Sequence, residues 1–135
     1  MKFRYKNYGH GVLRPVIPIV LRSRGHWQSY EVLVDSGADS CVFDADIAEV
    51  LSIPITKGER RYVGGITGSV ETYYVHPVTL IVGGLEYDIQ AGFLSNIAPT
   101  GYGIVGQRGF FDLFVVKFDL LKEEVELVPR KNKKP

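Results

Sequence analysis

The 135-residue sequence has one cysteine, Cys41, so no disulfide can form within the chain. It also has little excess charge. Sixteen lysines and arginines stand against fifteen acidic residues, giving a formal net charge of +1. That balance offers no broad electrostatic surface for nucleic acid or an anionic membrane, and neither is expected as a partner. No apolar run approaches the roughly 20 residues of a membrane-spanning helix. The first ten residues, "MKFRYKNYGH", lack the continuous apolar stretch of a secretory leader. Together these absences lead to the expectation of a cytoplasmic protein. The three histidines, His10, His26 and His76, have no metal-ligand spacing, so neither a metal nor another cofactor is expected.

The β-forming residues are well represented. Valine, isoleucine, tyrosine and phenylalanine occur in short runs separated by glycine, proline and serine. "RPVIPIVL" reads as a strand from about Val16 to Leu21, and Pro18 places it at an edge or a bulge. "RSRGH" is a turn, and "SYEVLV" returns as a second strand that ends at Asp35. "VTLIVGGLEYDIQAGFL" is a hairpin, with Val78, Leu80 and Val82 alternating before Gly83-Gly84 and Leu85, Tyr87 and Ile89 after it. "DADIAEVLSIP" can hold a helical turn before Pro54, and "GQRGFFDLF" a short helix. The expected architecture is mostly β, a closed or folded-over barrel with one short C-terminal helix. The domain is drawn over residues 14–128, behind an N-terminal extension (1–13) and ahead of a basic tail (129–135).

Within "EVLVDSGADS", Glu31 to Ser40, an apolar strand delivers a carboxylate, Asp35, onto a Ser-Gly turn. Burying a charge is costly unless hydrogen bonds hold it. Gly37 lets backbone N–H groups approach, and the Ser36 hydroxyl is a further donor. The tripeptide alone favours an Asx turn at a strand end over a carboxylate held for chemistry, and the wider pattern changes that weighing.

Two further segments extend the pattern. "VLVDSGADS" resembles the active-site segment of the retropepsin-like aspartic proteases. "YVGGITGSVETYYV" is similar to that family's flap, a glycine-tipped hairpin over the substrate. "GIVGQRGFF" is similar to the apolar-apolar-Gly segment beneath the active-site loop, and Arg14-Pro15 precedes the first strand as in retroviral members. The resemblance covers roughly Arg14 to Asp119. It implies a retropepsin-type barrel active as a homodimer, and an endopeptidase acting on peptide or protein substrates. Asp35 would be the catalytic aspartate, and Ser36 would lock two active-site loops together. Gly37, Ala38 and Asp39 would line the substrate, with Gly37 and Asp39 bonding its main chain. Val63, Gly64, Gly65, Ile66 and Gly68 would form the substrate-facing part of the flap. Ile104, Val105 and Gly106 would support the loop from below.

Such chemistry needs two carboxylates sharing one proton, yet this chain has one Asp-Ser-Gly. The partner is therefore expected to be Asp35 of a second copy across a two-fold axis. A dimerisation or peptide-binding module on the same fold is the alternative. Two departures from the retroviral pattern are visible. Gly106-Gln107 stands where many members have Gly-Arg, leaving Arg108, or Arg14 of the partner chain, as candidate partners of Asp39. The segment "LLKEEVELV" adds a strand beyond Asp119. "GYGIVG", Gly101 to Gly106, fits a dinucleotide fingerprint by letter, but it lacks the preceding parallel strand and following long helix that such a loop requires. Cys41, close to Asp35 in sequence, reads as a small buried residue.

Overall fold

The computed structural model describes residues 1–64, 68–95, 97 and 101–131. Three short strands, β1 (Lys2–Arg4), β2 (Lys6–Asn7) and β3 (Leu13–Arg14), lead into β4 (Val16–Ser23) and β5 (His26–Val34). Then come β6 (Cys41–Asp44), helix α1 (Ala45–Val50) and a 3-10 turn (Ile55–Lys57). The rest is strand: β7 (Glu59–Gly64), β8 (Val70–Val82), β9 (Leu85–Leu94), β10 (Gly103–Val105), β11 (Phe114–Asp119) and β12 (Glu124–Pro129).

The local chemistry accounts for these elements. The β4–β5 hairpin turns at Arg24 (φ 55°) and Gly25 (φ 79°), and the β8–β9 hairpin at Gly83 (φ 56°) and Gly84 (φ 81°). Two successive left-handed residues give the tight turn whose twist matches the flanking strands. In the second hairpin Val82 pairs with Leu85, Leu80 with Tyr87 and Val78 with Ile89, so the alternating set falls on one buried face, as expected. The helical turn expected before Pro54 is α1, capped by the Asp44 carboxylate, which accepts from Asp46 N at 3.0 Å.

Strands β4, β5, β10, β6, β9 and β8 pair in that order, and a β4–β8 pairing closes them into a six-stranded barrel, with β7 added beyond β8. Closure leaves these strands few open edges. β4 meets β8 only at Val20 to Arg22, so Pro18 lies where β4 has β5 alone beside it and its missing N–H breaks no second ladder. Ile17, Leu21, Val32, Phe43, Leu80, Phe93 and Val105 fill the interior.

A second sheet, ordered β1–β12–β11, packs on the same core through Phe114, Val125 and Leu127. β12 is the additional strand read after Asp119. Lys2–Arg4, within the expected N-terminal extension, pair with Glu124 to Glu126. The Met1 ammonium donates to Leu127 O at 2.9 Å. Arg130, within the expected basic tail, donates from its guanidinium to Phe111 O at 3.0 and 3.1 Å. Residues 132–135 of that tail lie outside the described residues.

The short helix expected in "GQRGFFDLF" is corrected to a run of turns. Gly109 adopts φ 97°, which breaks helical continuity. Phe111 N and Asp112 N reach back five residues, to Gly106 O and Gln107 O, while Phe114 N→Phe110 O has α-helical spacing. The segment's aromatics nonetheless pack on the core, with Phe111 only partly buried. Phe110 and Phe114 are wholly enclosed with ring centroids 5.1 Å apart. Among the described residues no helix is long and apolar enough to cross a membrane.

Candidate active site

β5 carries Val32 and Val34 into the core and ends at Asp35. Its last residues are held on both sides. Val34 N donates to Pro15 O at 2.9 Å, and Asp35 N to Val105 O at 3.0 Å. β10 runs parallel to β5, with Gly103, Ile104 and Val105 opposite Val32, Leu33 and Val34, and meets β6 at Ile104↔Val42. The three residues proposed as loop support thus form or follow a strand wedged between the chain entering the loop and the chain leaving it.

Asp35 O accepts from Ala38 N at 3.2 Å, and Asp35 Oδ1 accepts from Gly37 N at 2.9 Å. This is an Asx turn, so the two readings of the tripeptide coincide in one geometry: the bond that makes the turn also fixes the carboxylate. A Cβ on Gly37 would come within 3.2 Å of that oxygen. Asp35 is half-buried, whereas Ser36, Gly37 and Asp39 are exposed.

The return strand clamps the loop from below. Gln107 N donates to Ala38 O at 2.8 Å and Arg108 N to Asp39 O at 3.0 Å. The Gln107 side-chain amide donates to Ser36 O. Gly106 sits so close beneath that an added Cβ would stand 2.5 Å from Ala38 O and 2.7 Å from Ser40 O. Gln107, read in the sequence only as a departure from Gly-Arg, is therefore part of the loop's support. The signal was its position directly after Gly106. Asp39, by contrast, makes no ion pair with Arg108 of its own chain among the described residues. The Arg14 guanidinium lies 4.8 Å from the Tyr8 ring centroid of the same chain.

Of the residues assigned to the flap, Val63 and Gly64 close β7 and Gly68 precedes β8, with Val63 paired to Glu71 and Gly64 to Val70. Gly65 and Ile66 lie outside the described residues. A cleft of about 650 Å³ runs from Ser40 and Arg108, at the end of the Asp35 loop, to Glu59, Arg61 and Val75 at the base of this hairpin. Asp35 does not line it. Cys41 is fully buried, and burial pushes its thiol up to about 12, so it is no nucleophile. No described group of three or more His, Cys, Asp and Glu is placed to hold a metal.

The fold is that of the retropepsins. The chain superposes on a retropepsin-like aspartic protease from Rickettsia conorii with a TM-score of 0.58 at 18% identity, covering 84% of this chain and 98% of that one. EIAV protease complexed with the inhibitor HBY-793 gives a TM-score of 0.48 at 20% identity, over 75% of this chain and 88% of that one. No curated protein matches the chain. The sequence pattern of the family described as "Aspartyl protease" matches residues 21–108, more than half of the chain, and the protein belongs to that family.

Proposed function

We propose that the protein is a homodimeric aspartic endopeptidase in which each subunit contributes Asp35 to one shared site. The observation that carries this reading is the Asp35 loop itself. A carboxylate is fixed by its own turn and braced by β10 and Gln107, and the chain has a single Asp-Ser-Gly to supply it. Two such carboxylates brought together across a two-fold axis cannot both ionise, so they share a proton. The ionised one takes a proton from a water that attacks the peptide carbonyl. The protonated one donates to the carbonyl oxygen, and a proton then passes to the leaving nitrogen. No covalent intermediate forms. The peptide lies extended between the Asp35 loop and the β7–β8 hairpin. Its backbone pairs with Gly37 and Asp39, and its apolar side chains meet Val63 beside the cleaved bond.

The test is a mixed peptide library treated with wild type and with Asp35→Asn, alongside sedimentation at the assay concentration. Cleavage by a wild-type dimer is expected, with a loss of roughly 10²–10⁴-fold or more in the variant. Activity from a sedimenting monomer, or equal cleavage by the variant, would overturn the reading. Peptide binding without cleavage by either protein would make it a binding module instead.

A further inference from the structure

The strand register brings a cation up to the Asp35 carboxylate. Val16 pairs with Leu33 across β4 and β5, and Val34 N donates to Pro15 O at 2.9 Å. Carrying that register one step further sets Arg14 opposite Asp35, where side chains across an antiparallel pair start about 5 Å apart. An arginine so placed can reach the carboxylate, yet the two form no ion pair among the described residues. Asp35 Oδ1 accepts from Gly37 N instead.

Two rings hold the guanidinium elsewhere. It lies 4.8 Å from the Tyr8 ring centroid and 6.0 Å from that of Tyr102. The rings meet edge to face, with centroids 6.1 Å apart. Both are anchored. Tyr102 is 8% exposed and directly precedes β10, the strand that braces the Asp35 loop. Tyr8 follows β2, whose Lys6 pairs with Arg14 of β3, and Tyr8 N donates to Val12 O at 2.9 Å. The neighbouring cation is occupied too, because Lys6 forms an ion pair with Glu31 of β5. Arg108, after β10, lines a cleft that Asp35 does not. Asp39, the other acid of the loop, is exposed.

We propose that Tyr8 and Tyr102 are positioning residues: together they hold Arg14 off Asp35 and leave that carboxylate free to take and give a proton. This rests on the reading of Asp35 as a reacting group. A guanidinium at ion-pair distance favours the charged form of a carboxylate. Two carboxylates that share a proton need one of them to stay protonated. An Arg14–Asp35 contact would strip that proton away and leave no acid to donate to the substrate carbonyl. A partly buried guanidinium against two rings is held at least as firmly as one in an exposed ion pair, so the rings win the competition for Arg14.

The experiment compares the full chain as wild type, as Tyr8→Leu, and as Tyr8→Leu combined with Arg14→Gln. Leucine keeps apolar bulk over Tyr102 but offers no π face. Each protein is treated with a carbodiimide and a small amine over a pH series, and amide formation is read by peptide mass mapping. The coupling requires a protonated carboxyl, so it reports the Arg14–Asp35 contact whether or not the protein cleaves anything. Tyr8→Leu is expected to slow labelling of Asp35 roughly tenfold at fixed pH, with the exposed Asp46 unchanged. Removing the guanidinium in the double variant is expected to restore it. Misfolding would speed labelling, the opposite sign. The neutral-side limb of the pH–rate profile for cleavage should move about one unit to lower pH in Tyr8→Leu and return in the double variant. Asp35 labelling at the wild-type rate in Tyr8→Leu, or a double variant that stays slow, would overturn the proposal. The expected labelling pattern in a protein that cleaves nothing upholds the hold on Arg14 and overturns the protease reading.

Discussion

Between Asp35 and Ser40 the backbone is bonded at almost every step, whereas in the β7–β8 hairpin the Tyr62, Val63 and Val70 side chains stand in solvent. In the first region Asp35 N, Ser36 O, Ala38 O and Asp39 O all have partners on the β10 return, and the carboxylate is tied to Gly37. In the second, Tyr62, Val63 and Val70 are 60%, 41% and 64% exposed. That hairpin is secured at its base, where the buried His76 ring meets Ile55 O at 2.7 Å and a Cβ on Gly58, just ahead of β7, would come within 2.5 Å of its Nε2. On the proposed function the contrast would match a division of labour. A reacting carboxylate has to be held to within a fraction of an ångström, while a lid has to admit a substrate and then settle on it.

Substitutions at the two regions should separate these demands. The largest effect is expected from Gly106→Ala, whose methyl would run into two main-chain oxygens under the loop. About 2–3 kcal/mol of stability should be lost in denaturant titration, and cleavage with it. His76→Ala should cost about 1–2 kcal/mol. Because the damage is at the hairpin's base, hydrogen exchange should quicken in β7 before it does in β5. Gln107→Ala removes the side-chain donor to Ser36 O for about 1 kcal/mol. On the proposed function it should lower kcat with little change in KM, since it would loosen the Asp35 loop and not the β7–β8 hairpin. Val63→Ser should leave the melting temperature almost unmoved and raise KM. If Gln107→Ala acted on KM alone, or Val63→Ser on kcat alone, the division would be wrong.

Much of this was readable from the residues. Gly83-Gly84 with alternating apolar flanks specifies a hairpin and its register, and Arg24-Gly25 a second, because turn geometry and the period of two are local properties. The Asp35 turn was legible for the same reason. What was not legible depended on distant partners. "GQRGFFDLF" has a helical spacing of aromatics, but Gly109 takes a left-handed conformation and the following N–H groups reach back five residues, so turns pack the aromatics on the core. Gln107 looked like a lost arginine because the carbonyl it bonds, Ser36 O, lies 71 positions away in sequence. The partner of β1 could not be foreseen either, since Lys2–Arg4 carries no signal that it will meet Glu124 to Glu126.

That last pairing has a consequence for dosage. The chain pairs both sides of β12 with its own strands and encloses its own core, so neither needs a second copy to be completed. If the chemistry does, then a scarce protein would persist intact and idle. Its proteolytic output would climb with the square of its abundance until copies were plentiful enough to stay together.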